Sequence, residues 1–210
     1  MRANSETEFE EGDTGREKER VAIFGGTFDP IHYGHLALAR YVADNGLAEE
    51  VWLMPSPLNP LKTGRKILPE RVRLHLAELA VEHEPHIKVS DYELHLPRPT
   101  YTWRTLAGLR QDFPTRIFSL LIGSDNWLQF GRWARPEEIL LHHELLVYPR
   151  PGYPLDTTKA HPGVTLLRHA PQCPFSSTAL RAALKAQNDC AAMLPSAVYR
   201  EIARKGYYIL

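Results

Sequence analysis

The chain has 210 residues, of which 25 are Lys or Arg and 25 are Asp or Glu, so its formal net charge is zero. That balance argues against a basic surface for nucleic acid or an anionic membrane, and we expect neither as a partner. The longest apolar stretch, near residues 117–122, is far too short to cross a bilayer. Cys173 and Cys190 lack the spacing of a zinc or redox pair, which indicates a reducing cytoplasm.

The first 20 residues differ in composition from the rest of the chain. Apolar residues are nearly missing there, and the acidic residues are Glu6, Glu8, Glu10, Glu11, Asp13, Glu17 and Glu19. Such a segment cannot bury enough apolar surface to offset the entropy of ordering it. We therefore predict a disordered acidic tail over residues 1–20 and one folded domain over residues 21–210.

Predicted strands and helices alternate along the domain. The apolar runs and the Gly and Pro residues that bound them predict strands over residues 21–24, 50–54, 87–94, 116–122, 144–148 and 164–168. Helices are predicted over residues 36–45, 69–83, 102–111, 136–141, 177–187 and 195–205, with a short one after Gly123. This alternation predicts a single α/β domain, a Rossmann-like doubly wound parallel sheet with helices on both faces. Ligands of such sheets bind beyond the carboxyl ends of the strands.

The segment after the first predicted strand, GGTFDPIHYGH at residues 25–35, concentrates residues suited to chemistry. Gly25 and Gly26 permit backbone conformations closed to other residues and let a ligand approach the main chain. His32 and His35 stand at a helix start, where unpaired N–H groups and the helix dipole attract phosphate. The pattern is neither GxxxxGK[ST] nor GxGxxG. We interpret the segment as a nucleotide phosphate site with two imidazoles added; the alternative is a junction of purely structural role.

A second segment, FSSTALR at residues 175–181, carries hydroxyl residues into an alanine- and leucine-rich helix. One of Ser176, Ser177 and Thr178 is expected to cap that helix. Arg181 follows about one turn later, where its guanidinium can hold phosphate oxygens in a forked, charge-assisted grip. Alone, the segment is typical of an ordinary cap. Beside the histidine segment, it predicts a second phosphate clamp.

The two segments together resemble the paired signature of the HxGH nucleotidylyltransferases, and among them the bacterial nicotinate mononucleotide adenylyltransferases. The resemblance extends over nearly all of the chain after the tail. It includes the proline-rich loop at residues 57–62, the helix opening at Glu70-Arg71, the threonine-rich segment at residues 100–106, the Ile122-Gly123-Ser124-Asp125 block with Trp133 downstream, and a terminal helix at residues 194–202.

The resemblance implies transfer of the adenylyl group of ATP to the phosphate of nicotinate mononucleotide, which yields deamido-NAD and pyrophosphate. The attacking phosphate oxygen is already anionic, so the protein mainly aligns the substrates in line and neutralises charge. Neither histidine is expected to form a covalent intermediate. Since no carboxylate cluster predicts a protein-held metal, Mg²⁺ is expected to arrive on ATP, because it prefers phosphate oxygens and water.

The resemblance also implies a role for each matched position. His32 and His35 would hold the ATP phosphates, while Lys62 and Arg181 would balance the β- and γ-phosphates as pyrophosphate leaves. The implied ATP-binding residues are Gly25, Gly26, Thr27, Phe28, His32, His35, Ile122, Gly123, Asp125, Ser176, Ser177, Thr178 and Arg181. The implied nicotinate mononucleotide-binding residues are Gly26, Thr27, Phe28, Lys62, Tyr101, Thr102 and Trp133, with Trp133 stacked on the pyridine ring.

Two positions depart from the family pattern. Leu61 stands where a histidine often precedes the lysine of the proline-rich loop, and Arg104 stands where an acidic residue is common. Two alternatives stay open: the same chemistry on nicotinamide mononucleotide or phosphopantetheine, and a nucleotide-sensing module without catalysis. Both a monomer and a homo-oligomer are compatible with the sequence.

Overall fold

The computed structural model describes residues 18–57, 67–155 and 161–209. Within these ranges the strands form one sheet in the order β3-β2-β1-β4-β5-β6, and every neighbouring pair is parallel. The predicted fold class is therefore confirmed. The strands are β1 Glu19–Gly26, β2 Glu50–Pro55, β3 Ile87–Val89, β4 Arg116–Gly123, β5 Leu145–Tyr148 and β6 Val164–Leu166.

Helices connect the strands and cover both faces of the sheet. None of the helices in the described ranges is long and apolar enough to cross a membrane. The helices are α1 Tyr33–Asp44, α2 Glu70–Val81, α3 Thr102–Asp112, α4 Ser124–Trp127, α5 Pro136–His142, α6 Ser177–Lys185 and α7 Ser196–Lys205, with 3₁₀ helices at Tyr92–His95 and Phe130–Arg132.

The central strand β1 contributes to both layers of the core because its successive side chains alternate between the two faces of the sheet. Ala22 and Phe24 pack with buried residues of α1, α2, α6 and α7. Val21 and Ile23 point to the other face and pack with buried residues of α3 and α5. A strand buried on both faces reads as a continuous apolar run, which is why VAIF at residues 21–24 shows no polar alternation.

Two differences from the predicted strand boundaries have a local explanation. β1 begins at Glu19, inside the predicted tail, where the Glu19 carboxylate lies 2.9 Å from the Arg116 guanidinium. β3 ends at Val89 rather than near residue 94, because the Ser90 hydroxyl accepts a hydrogen bond from Tyr92 N and a 3₁₀ helix follows. Residues 1–17 of the predicted tail, Leu61 and Lys62 lie outside the described residues.

A buried arginine holds together the chain segments at the carboxyl end of β1. Arg73, on α2, is 0% exposed and donates to the carbonyl oxygens of Thr27 at 2.5 Å, Ser56 at 2.8 Å and Leu68 at 3.0 Å. Burial lowers the pKa of this guanidinium, and the negative charge of Asp29 opposes that shift. These partners allow a charged side chain to be buried, since an isolated buried charge is strongly unfavourable.

Replacing Arg73 with leucine should lower the free energy of unfolding by about 3 kcal/mol or more, because three buried carbonyls lose their donor. Arg71→Leu, on an exposed position of the same helix, is the matched control and should change it by about 0.5 kcal/mol or less. Urea denaturation of both variants measures the difference. Equal stability of the two variants would contradict the structural role of Arg73.

Candidate active site

A cleft of about 1840 Å³ opens at the carboxyl ends of β1, β2, β4 and β5. Its centre lies between β1 and β4, where the strand order reverses direction, which is the usual ligand position in doubly wound sheets. Among the described residues, every position predicted to bind a ligand lines this cleft: Gly25, Gly26, Thr27, Phe28, His32, His35, Tyr101, Thr102, Ile122, Gly123, Asp125, Trp133, Ser176, Ser177, Thr178 and Arg181. The structure therefore brings the two motifs and the later blocks to one place.

The two glycines of the first motif differ from the prediction in their backbone conformation. Both belong to the extended strand β1, and the left-handed conformation falls instead on Phe28, with φ of 45°. That conformation folds the Phe28 ring back on the strand, so a Cβ at Gly26 would lie 2.9 Å from the ring. At Gly25 a Cβ would meet nothing within 4 Å. Glycine is needed at 26 for packing, while at 25 its absence of a side chain bares the main chain to the cleft.

The histidine pair caps helix α1 reciprocally. His32 is the N-cap residue, and its Nδ1 accepts a hydrogen bond from Gly34 N at 3.1 Å. Nδ1 of His35 in turn accepts from His32 N at 3.2 Å. A Cβ at Gly34 would lie 2.9 Å from both His32 Nδ1 and Cys173 Sγ, so glycine alone fits between the histidines. The caps fix both rings, whose centroids stack 3.7 Å apart.

These contacts determine the protonation of both rings. Each Nδ1 accepts from a backbone N–H, so in the neutral form the ring proton is on Nε2. Burial, and secondarily the Arg150 guanidinium, lowers the pKa of His32 to about 4. Burial, then the neighbouring charges of His32 and Arg150, holds the pKa of His35 well below 6.5. At neutral pH the cleft therefore contains two uncharged imidazoles, each with an Nε2–H donor.

The second motif makes direct contact with the first. Ser176 caps α6 by accepting from Ala179 N at 3.3 Å. The Ser177 hydroxyl donates to the Pro30 carbonyl at 3.0 Å. Arg181 donates through Nη1 to the Asp29 carbonyl at 2.7 Å and through Nη2 to Thr178 Oγ1 at 3.1 Å. The guanidinium is thus held in the wall of the cleft beside the segment that carries the histidines.

Sequence reasoning missed Arg150, a cation of the cleft that belongs to neither motif. Its backbone N donates to Ser124 Oγ at 2.9 Å, and its Nη1 lies 3.2 Å from Asp125 Oδ2. The same charge contributes to the lowered pKa of both histidines. Its position two residues after β5 was the available signal, because residues at the carboxyl end of a parallel strand face the ligand edge.

Trp133 and Trp103 differ in their position relative to the cleft. Trp133 lines the cleft and packs on Phe130, with ring centroids 5.3 Å apart. Trp103 instead makes cation–π contacts with the guanidinium groups of Arg135 and Arg104, whose Cζ atoms lie 4.2 Å and 5.2 Å from its ring centroid. Arg104, the departure from the family pattern, also lies 5.7 Å from the ring of Tyr101, a cleft residue. Its charge therefore lies at the margin of the cleft.

The described residues contain no group of three or more His, Cys, Asp or Glu side chains placed to hold a metal ion. The cleft instead contains hydrogen-bond donors and cations, among them two imidazole Nε2–H groups, Arg150 and Arg181, alongside the carboxylates of Asp29, Glu93 and Asp125. Such donors and cations bind anions, and they stabilise negative charge that develops on transferring phosphoryl groups.

The fold and the site together define a nucleotidylyltransferase. The profile of the cytidylyltransferase-like family matches residues 23–183, and the chain belongs to this family.

Individual proteins that are similar to the chain are named as nicotinate-nucleotide or nicotinic acid mononucleotide adenylyltransferases. A probable nicotinate-nucleotide adenylyltransferase of Bacteroides fragilis is 45% identical over 188 residues, which are 90% of this chain and 93% of that protein. A protein of the same name from Porphyromonas gingivalis is 39% identical and covers 83% of this chain and 89% of its own length. The fold is similar to Plasmodium falciparum nicotinic acid mononucleotide adenylyltransferase complexed with NaAD, with TM-score 0.75, 20% identity and coverage of 90% and 97%.

The lowered pKa of the histidines can be measured by NMR titration. His32 should remain neutral as the pH falls from 7 and should become protonated with a midpoint of about 4. Since the unfolded chain takes up a proton near 6.5, the fold should lose stability as the pH falls from 6.5 towards 4. Arg150→Gln should move the midpoint upwards by removing a neighbouring positive charge. A wild-type midpoint near 6.5 would contradict the burial of a neutral ring.

Proposed function

We propose that the chain transfers the adenylyl group of ATP to the phosphate of nicotinate mononucleotide, with release of pyrophosphate and formation of deamido-NAD, a step of NAD biosynthesis. The relatives that share its full domain carry this activity in their names. The observation that carries the proposal is the contact between the two motifs. Arg181 and Ser177 bond to the Asp29 and Pro30 carbonyls, and this places a guanidinium beside two neutral imidazoles in one cleft.

The reaction is a direct in-line displacement at the α-phosphorus of ATP. The nucleophile is a phosphate oxygen of the mononucleotide; the bond to the β-phosphate oxygen breaks, and pyrophosphate leaves with the electron pair. No general base is needed because the nucleophile is anionic. The Nε2–H groups of His32 and His35 bind the triphosphate. The negative charge of a bound phosphate raises the pKa of an imidazole that contacts it. The pair thus gains positive character where charge accumulates.

The departing pyrophosphate is neutralised by Arg181 and, as a further cation of the same cleft, by Arg150. Ser177 already donates its hydroxyl to Pro30, so we assign it the task of joining α6 to the first motif. Ser176 and Thr178 complete the start of α6, where Thr178 Oγ1 accepts from Arg181. Lys62 keeps its role on the β- and γ-phosphates as a prediction from the sequence alone.

The two nucleotides occupy opposite parts of the cleft on this proposal. Ile122, Gly123 and Asp125 contact the adenosine half, and the Asp125 carboxylate accepts from a ribose hydroxyl. Gly25, Gly26, Thr27 and Phe28 line the junction between the nucleotides. Trp133 stacks on the pyridine ring near Tyr101 and Thr102.

Preference for the acid over the amide follows from the start of α3. The N-cap residue Tyr101 makes no side-chain hydrogen bond to the helix. The Arg104 N–H donates to the Tyr101 carbonyl, and we propose that the N–H groups of Thr102 and Trp103 face the ligand. These groups and the positive end of the helix dipole favour a carboxylate. The Arg104 charge at the cleft margin adds to this preference.

We propose that the divalent metal of the reaction is Mg²⁺ and that it arrives bound to ATP. The chemistry of the site fits this arrangement, because a cation held by phosphate oxygens and water needs few protein ligands. When bound, the ion would neutralise charge on the β- and γ-phosphates. Asp125, on the adenosine side of the cleft, is the carboxylate that lies nearest to Arg150 among the residues assigned here to ATP.

Pyrophosphate release should be measured with ATP and each of three acceptors: nicotinate mononucleotide, nicotinamide mononucleotide and phosphopantetheine. We expect the highest kcat/KM with the acid, and at least about tenfold less with the amide, which lacks a charge for the α3 N-terminus. Equal turnover of acid and amide would overturn the acceptor assignment. ATP binding without pyrophosphate release from any acceptor would favour a nucleotide sensor.

Two substitutions at His35 separate catalysis from capping. His35→Ala should lower kcat by about a hundredfold or more, because a donor to the transition state is lost. His35→Asn keeps an oxygen that can accept from His32 N but removes the Nε2–H donor. Its kcat should therefore fall as far as that of His35→Ala, while its Tm should lie closer to the wild-type value. His83→Ala, at an exposed histidine, is the control. Wild-type turnover of a folded His35→Asn would refute the role.

A further inference from the structure

Asp29 lies between the two motifs and is almost fully buried, with 1% exposure. Its Oδ1 accepts from the Tyr208 hydroxyl at 2.7 Å and from Leu68 N at 3.3 Å. Its Oδ2 has no hydrogen-bond partner and lies 3.8 Å from Arg181 Nη1. The same nitrogen of Arg181 bonds to the Asp29 carbonyl at 2.7 Å. Asp29 therefore connects the C-terminal segment with a cation of the cleft.

Tyr208 reaches Asp29 from the far end of the described chain. After α7, Gly206 and Tyr208 both adopt left-handed conformations, with φ of 67° and 70°, and these return the chain to the first motif. For a tyrosine such a conformation is unfavourable by about 1–2 kcal/mol, so it persists because the surroundings fix it. Burial, and then the Asp29 charge, raises the pKa of Tyr208 far above its usual value. The hydroxyl therefore stays protonated and acts as a donor.

The orientation of the Asp29 carboxylate decides how many donors Arg181 offers to a ligand. Carboxylate and guanidinium prefer a bidentate pair with two parallel hydrogen bonds. In the structure that pair does not form, because Tyr208 and Leu68 hold Oδ1 and only Oδ2 faces the guanidinium, beyond hydrogen-bond distance. The carboxylate attracts Arg181 electrostatically without occupying both edges of its fork.

We propose that Tyr208 is a positioning residue for nucleotide binding: by holding Asp29 Oδ1, it keeps the Arg181 guanidinium directed to the phosphates of ATP. This inference rests on the proposed function. It assigns a role in the phosphate site to a side chain that neither motif contains and that lies 179 positions from its partner.

Tyr208→Phe removes the donor and keeps the ring. KM for ATP should rise about tenfold, the loss typical of one charge-assisted contact, while KM for nicotinate mononucleotide should change by less than about twofold. Tyr207→Phe is the matched control, because the neighbouring hydroxyl makes no hydrogen bond among the described residues. It should leave both constants unchanged. Calorimetric titration with ATP alone provides a readout that does not depend on the acceptor.

A double-mutant cycle tests whether Tyr208 acts through Arg181. In an Arg181→Ala background, Tyr208→Phe should change ATP affinity by less than about twofold, because the group that it positions is gone. Asp29→Asn should reproduce the selective loss of ATP affinity and decides the question if Tyr208→Phe does not fold. Unchanged ATP affinity of folded Tyr208→Phe, or a full additional loss in the Arg181→Ala background, would overturn the proposal. Absence of pyrophosphate release by the wild type would instead overturn the proposed function and leave the ATP titration decisive.

Discussion

The site depends on one pair of contacts between distant parts of the chain. Arg181 donates to the Asp29 carbonyl and Ser177 donates to the Pro30 carbonyl, so the start of α6 is bonded to the segment that leads into α1. Both helix starts thereby face the same cleft, with the positive ends of two helix dipoles directed to it. At α1 the N–H groups of Tyr33, Gly34 and His35 have acceptors within the protein, so the imidazoles are the groups left to donate to a ligand. Arg73 holds the other side of that segment through the Thr27 carbonyl. The polar backbone around residues 27–30 is thus satisfied by side chains that also build the site.

The histidine pair shows how a structural contact fixes chemistry. An ordinary cap such as serine would satisfy the N–H groups of α1 equally well. Imidazole does so through Nδ1 and leaves a second nitrogen, which carries the proton and can donate to a ligand. The rings remain neutral in the absence of an anion because burial and the Arg150 charge disfavour protonation. Two stacked imidazolium ions would repel each other, so a neutral pair avoids that cost until phosphate provides opposite charge.

The sequence predicted those features that are local in the chain. Strand-helix alternation predicted the parallel sheet, and the two motifs predicted which helix starts line the cleft, since each motif is one short continuous segment, at residues 25–35 and 175–181. It did not predict Arg73, Arg150 or Tyr208, because their roles arise from partners that lie far away in sequence, such as Thr27, Asp125 and Asp29. The error at Gly25 and Gly26 has the same origin. The glycines were expected to adopt backbone conformations closed to other residues, whereas both lie in the extended strand β1 and the ring of Phe28 determines the space at residue 26.

Arg150 and Arg181, the two described cations that we assign to the ATP phosphates, each have a carboxylate beside them. On the proposed function, one of these carboxylates connects the phosphate half of the ATP site with the ribose half. Arg150 lies 3.2 Å from Asp125, and Arg181 lies 3.8 Å from Asp29. The Asp29 carboxylate is buried and held by Tyr208, so it remains where it is. Asp125 is partly exposed, and its Oδ1 has no hydrogen-bond partner. On the proposed function, a phosphate that draws Arg150 away would release Asp125 Oδ2 as well, and the carboxylate would then be free to accept from the ribose. Phosphate binding would in that case favour ribose binding through a side chain that belongs to neither motif.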